Sequence, residues 1–179
     1  MRQWWWKILC GVLVLFTVVA GFLMPVPRLD ILNETIRNLY FHVPMWFTMI
    51  VLFTAAFIYS IKYLRSGKLE DDIYASTLTS TGILFSILGM LTGMEWGKYT
   101  WGAAWSNDPK QLCTAILMLI YFAYGILRSG MRDDEKRAKI SAVYNVFAFA
   151  MIVPLLFVLP RMVDSLHPGN GGNPAFAKY

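Results

Sequence analysis

The chain contains only two histidines, His42 and His167. His42 stands in Tyr40-Phe41-His42-Val43-Pro44, and His167 in Asp164-Ser165-Leu166-His167-Pro168-Gly169. Neutral imidazole is the commonest protein ligand of a metal ion and one of the usual axial ligands of haem iron. Taken singly, each is an ordinary polar residue at a membrane interface. Two on one face, each at a helix end, would permit a shared ligand held between them. Between them in sequence runs a stretch from Gly93 to Asp108 with Trp96, Trp101, Trp105 and Tyr99 interleaved with glycines. Flat indoles can pack on a porphyrin plane, and glycines let backbone come close. The plain alternative is an aromatic belt anchoring helices at the interface. Trp4, Trp5 and Trp6 fit a belt well; the regular Trp-Gly spacing before an acid fits it less neatly. Zinc is a third reading, since His42 and His167 with Asp108 or Asp164 just reach the three ligands of a catalytic site. Zinc would leave the tryptophan stretch without a role. There is no Ser-His-Asp order with a nucleophile elbow, and no Walker or Rossmann glycine pattern.

These residues need a scaffold, and composition says which kind. Of 179 residues, 57% are hydrophobic and only 15% charged, where soluble domains carry about 25% charge. Mean hydropathy is +0.50. The charges collect in short runs, and the apolar stretches between them reach the roughly 20 helical residues needed to cross about 30 Å of hydrocarbon. Five spans are expected, at about 5–24, 44–64, 73–94, 111–128 and 140–159, giving an all-α polytopic transmembrane bundle in one domain over 1–179. Pro44 suits the first turn of the second span. The first span lacks a small-x-small cleavage site and reads as an uncleaved anchor. Cys10 and Cys113 begin different spans near opposite faces, too far apart for a disulfide. In the third span Ala75, Thr79, Gly82, Ser86, Gly89 and Gly93 alternate four and three apart and form a small-residue seam, read as plain close helix packing. Asn145 and Pro154 in the fifth span read as structural. Gly169 to Gly172 reads as a short loop.

Net charge is +5, but no basic stripe of a nucleic-acid binder is present. Basic residues accumulate on cytoplasmic loops. Ten of the 16 Lys and Arg fall at the N-terminus, around 62–68 and over 128–139; the rest fall at Arg28, Arg37, Lys98, Lys110, Arg161 and Lys178. The bias places the N-terminus in the cytoplasm. The segments 25–43, 95–110 and the tail from 160 then face outward, with both histidines and an extracytoplasmic aromatic loop.

Trp101, Gly102, Trp105 and Asp108 resemble the W-G-x-x-W-x-W-D loop of the haem-handling proteins of cytochrome c biogenesis, with Asn107 where that pattern usually has tryptophan. Arg37-Asn38-Leu39-Tyr40-Phe41-His42-Val43-Pro44 is similar to the R-x-x-Y-x-H-V-P stretch of the CcmC type, also called haem exporter protein C, and the system-II CcsA type shares the loop. The resemblance covers Arg37 to His167. It implies a haem-binding platform rather than an enzyme, in a bacterial inner membrane. His42 and His167 would be the axial ligands of a b-type haem, Trp96, Trp101 and Trp105 would line its plane, and Asp108 would organise the loop. Arg37 or Lys110 would pair with a propionate or steer a partner. The implied partners are a periplasmic haem chaperone and the subunits of an ABC-type transporter complex, besides membrane lipid. CcmC-type proteins usually have six spans, so the resemblance implies a shortened member or a fragment, and the abrupt tail from Asn173 favours a fragment. The rival readings are a system-II haem synthase component, a solute transporter subunit with polar or broken helices at midplane, and a b-type electron-transfer subunit with histidines inside facing helices.

Overall fold

The computed structural model describes residues 4–29 and 32–167. They form five helices long and apolar enough to cross a membrane, and no strand is present among them. The helices are α1 (Trp5–Leu23), α2 (Leu39–Ser66), α3 (Leu69–Thr100), α4 (Pro109–Ser129) and α5 (Asp134–Ala150). A 3-10 segment, Asn33–Asn38, leads into α2, while α5 continues through a wide π-helical stretch, Val153–Val158, and a short 3-10 turn, Leu159–Arg161. The expected loop at Gly169 to Gly172, the tail from Asn173, and Arg2 and Lys178 lie outside the described residues.

All five expected spans are present, but four extend past the expected bounds. The second begins at Leu39, five residues ahead of Pro44, which sits inside the helix. Proline there removes one N–H, and the extra turn is held by packing on α3. The third starts at Leu69, because Glu70, Asp71 and Asp72 complement the positive end of the helix. It runs on to Thr100, because Trp96 packs against Leu32 and Ile36. The fourth gains Pro109 behind an Asp108 cap. The fifth starts at Asp134, because the Asp133 side chain accepts from the Lys136 N–H at 2.7 Å. Near Pro154 the α-helix gives way to π geometry, as expected where a missing N–H breaks the ladder.

The central packing is between α2 and α3, joined by the short turn at Gly67, whose φ of 67° requires glycine or its equivalent. Along α2 the residues His42, Trp46, Met49, Phe53, Ala56, Ser60 and Tyr63 recur four and three apart, and the last five are buried. This stripe lies on the small-residue seam of α3, whose Ala75, Thr79, Gly82, Ser86 and Gly89 are buried. Large side chains of one helix sit on bare backbone of the other. A Cβ on Gly82 would come within 2.5 Å of the Phe53 ring, one on Gly89 within 2.9 Å of Trp46, and one on Gly93 within 2.7 Å of His42. Phe53 is pressed flat on Tyr121 of α4 with ring centroids 3.6 Å apart, and Met49, Leu117, Ala148, Ile152 and Leu155 complete this core.

Asn145, fully buried, donates to Ser60 at 2.9 Å and Thr79 at 3.1 Å, tying α5 to α2 and α3. That bears a structural role for Asn145, although it also places a polar group inside the bundle. The helix α1 is nearly all exposed; its C-terminal turn touches the rest through Phe22 and Phe41, 5.4 Å between centroids. Both cysteines are free.

Candidate functional site

At the bundle end that carries the loop after α3, the start of α2, the last turns of α3, the start of α4 and the segment after α5 converge. His42 comes from the first turn of α2 and His167 from the segment beyond Arg161, residues 125 positions apart in sequence. Both imidazoles line the same two cavities. One, of about 420 Å³, is walled by Leu32, Leu39, Trp96, Thr100, Trp101 and Leu166. The other, of about 250 Å³, is walled by Trp46, Met90, Met94, Gln111, Phe157 and Arg161. His42, Gly93, Lys110 and His167 are common to both.

Asp108 is the hub on which one half of this site hangs. Its carboxylate is buried and caps α4 by accepting from the Lys110 N–H at 2.9 Å. It also accepts from the Leu166 N–H at 2.6 Å, the Ser165 hydroxyl at 2.9 Å and His167 Nδ1 at 2.8 Å. One side chain therefore fastens the segment after α5 to the start of α4. Burial works to raise the Asp108 pKa, but these donors, Leu166 N–H foremost, together hold it below the ordinary carboxylate value. Burial lowers the pKa of His167, and the neighbouring Asp108 only partly opposes it. The ring is thus neutral at pH 7. With its Nδ1–H given to a carboxylate, its Nε2 lone pair is the atom available for coordination. Trp101 stands edge-on to this ring at 4.8 Å.

His42 is held differently. Its ring lies over Gly93, with Nδ1 3.1 Å from the Gly89 carbonyl and 3.2 Å from the Thr92 hydroxyl. A carbonyl only accepts, so Nδ1 carries the hydrogen and Nε2 the lone pair. Trp46, one turn further along α2, points its indole N–H at that Nε2 from 3.2 Å. Trp96 stands edge-on at 6.0 Å.

A Cβ at Gly93 would meet the His42 ring at 2.7 Å, so Gly93→Ala is expected to push His42 off its carbonyl and hydroxyl partners. Overpacking of this kind costs about 1–3 kcal/mol, concentrated at the site because Gly93 is at the seam's end. The expected outcome is a lower unfolding midpoint in a denaturing-detergent series with little change in helix content. A midpoint equal to the parent would mean that His42 does not need this seat.

Several sequence expectations take a different place in three dimensions. Trp96 is not a loop residue; it lies in the last turns of α3, where its N–H donates to Thr35 at 3.2 Å. Trp105 lines neither cavity and donates instead to Asn107 at 2.8 Å. Asn107 adopts a left-handed φ of 54°, which asparagine tolerates better than tryptophan. Arg37 also lines neither cavity. Its guanidinium donates to the Gly21 and Met24 carbonyls at 3.1 and 2.6 Å and pairs with Glu34 at 2.8 Å, satisfying free carbonyls at the end of α1. His42 lies in the first turn of α2, behind the 3-10 segment, and His167 lies beyond Arg161, so both stand at or past helix ends as the sequence reading had them. Among the described residues no group of three or more His, Cys, Asp or Glu is placed to hold a metal ion.

Sequence reasoning named neither Trp46 nor Arg161 as a site residue, and read Gly93 as helix packing and as the start of the tryptophan stretch. Trp46 was signalled by its place one turn from His42; Arg161 carried no motif. The donor set suits an iron porphyrin: two imidazoles, apolar and aromatic walls, and the basic Lys110 and Arg161 among the lining residues.

Residues 1–171 match the family model described as CcmC, heme exporter protein C. The chain is similar to a putative cytochrome c biosynthesis ccmC-like mitochondrial protein of Marchantia polymorpha, 30% identical over 135 residues, covering 75% of this chain and 56% of the relative. It is 25% identical over 166 residues to heme exporter protein C of Rhodobacter capsulatus, covering 92% and 68% respectively. It is also 33% identical over 93 residues to the cytochrome c biogenesis protein CcsA of Pelargonium hortorum, covering 51% of this chain but 29% of that protein. The chain thus spans less than two thirds of the length of two of these three relatives.

Proposed function

The chain belongs to the heme exporter protein C family, and on that premise we propose that it is a membrane platform that binds haem and passes it on during cytochrome c biogenesis. The observation that carries this reading is that His42 and His167, the only histidines of the chain, line the same two cavities. His42 and His167 would hold the iron of a b-type haem through their imidazoles, and the residues lining the two cavities would hold its macrocycle. Trp96, Trp101, Leu32 and Leu39 offer the apolar wall; Lys110 and Arg161 face the cavities and would meet the propionates, whose charge-assisted contacts favour such donors. Trp105 and Arg37 support the fold around the site instead of touching the ligand.

The cavities open at a bundle end, not deep in its core, which suits delivery over permanent retention. In this reading the end with His42 and His167 faces the periplasm of a bacterial inner membrane and the N-terminus is cytoplasmic. The receiver is a haem chaperone, the neighbours are ABC-type transporter subunits, and the protein binds and hands over haem without catalysing a bond change. The shared loop with CcsA-named relatives keeps a haem synthase component as the second reading; haem-loaded protein that joins haem to an apocytochrome unaided would favour it.

The test is the optical spectrum of the purified protein produced with haem available, beside His42→Ala and His167→Ala. The expected parent is six-coordinate, and each variant loses or changes that coordination while staying folded. A haem-free parent, or a spectrum indifferent to both substitutions, would remove the two-histidine site.

A further inference from the structure

Both histidines commit Nδ1–H and keep a lone pair on Nε2, but at His42 another residue already takes that lone pair. At His167 the Nδ1–H is committed to the Asp108 carboxylate, which accepts only, so Nε2 is left for an incoming metal. At His42 the Nδ1–H is committed to Gly89 O and Thr92 Oγ1; the Thr92 hydroxyl spends its own hydrogen on the Leu88 or Gly89 carbonyl, at 2.9 and 3.0 Å. The remaining lone pair of His42, on Nε2, already accepts the Trp46 N–H at 3.2 Å. The indole is wedged on bare α3 backbone, where a Cβ on Gly89 would lie 2.9 Å from Trp46 Cε2. It meets the imidazole edge-on at 82°. Iron and the indole N–H therefore compete for the same pair of electrons.

We propose that Trp46 makes the His42–iron bond the weaker and first-broken one, acting as a built-in competitor that retakes the His42 lone pair whenever haem lets go. The proposal rests on the two-histidine haem reading and assigns an order within it. Haem bound on both sides must displace the Trp46 N–H. Release begins with the return of that N–H to His42, while His167, oriented by a carboxylate, holds the other side of the iron until a receiver takes over. Trp46 is thus a positioning residue that acts through His42.

The test uses the full chain in lipid nanodiscs loaded with haem, with apomyoglobin as the scavenger that reads haem release. Trp46→Phe keeps an aromatic ring on Gly89 and removes only the donor. Loss of one neutral hydrogen bond is expected to slow release about three- to tenfold. In a His42→Ala background the Trp46→Phe substitution should have no further effect, because the contested lone pair is gone. A Trp46→Phe rate equal to or faster than the parent overturns the proposal. Where the parent spectrum depends on His42 and the Trp46→Phe rate is unchanged, only the competitor role falls. Where the parent spectrum ignores His42, the haem reading itself falls with it. A measurement on the unaltered protein guards against a poorly folded variant: the ultraviolet resonance Raman marker of indole N–H bonding should show one such bond lost on haem loading. An unchanged marker overturns the competitor role.

Discussion

If His167 holds haem iron as proposed, Asp108→Asn is expected to lower haem affinity about 10- to 100-fold, the usual cost of removing the outer partner of a metal-binding histidine. The carboxylate accepts from four groups in two separate segments. An amide keeps one acceptor oxygen and turns an NH2 toward donors that need an acceptor. His167 then loses the partner that fixes its Nδ1–H, and the other tautomer, with Nε2 protonated and unable to coordinate, becomes accessible. The measurement is a haem titration with the ferric-to-ferrous potential read alongside. A loosened loop alone would weaken binding without moving the potential, whereas loss of carboxylate character behind the ligand raises it, because a less electron-rich imidazole favours ferrous iron. Parent-like affinity and potential in Asp108→Asn would show that the carboxylate merely caps α4.

At the opposite end of the bundle, Arg128→Met is expected to destabilise the protein by roughly 3 kcal/mol without altering the haem spectrum of the folded fraction. Arg128, at the end of α4, makes two parallel bonds to Asp72 of α3, at 2.7 and 2.6 Å. Asp72 is buried, with 6% of its side chain exposed against 18% for Arg128. Removing the arginine strands a buried carboxylate; removing both charges with Asp72→Asn and Arg128→Met does not. The double variant should therefore recover part of the loss. Unfolding in a denaturing-detergent series gives the comparison. A cost under about 1 kcal/mol in the single variant would place the pair among exposed ion pairs, and the α3–α4 contact would then rest on packing alone.

The all-helical bundle and its five spans were legible because hydrocarbon thickness and the scarcity of charge leave a chain of this composition few alternatives. The two histidines were equally legible, being the only ones available. The segments 25–43 and 95–110 were read as outward loops, because spans drawn to hydrocarbon length stop short of them. In the folded protein α2 and α3 run on into both, and at Gly93 and Gly97 the rings of His42 and Trp101 press on backbone.

The sequence by itself determined the membrane-spanning class, the histidine pair and the four-three spacing of the α3 seam, because each follows from composition or from helical period. It also carried the matching stripe of large residues on α2, but nothing local says which face meets which seam. Only the tertiary structure decided that His42, Trp46 and Phe53 stand opposite Gly93, Gly89 and Gly82. It likewise decided that Asp108 reaches His167, that Arg37 serves the end of α1, and that Trp46 claims a lone pair of His42. Each of those outcomes depends on directional hydrogen bonds between segments far apart in the chain, and direction is set only when the helices pack.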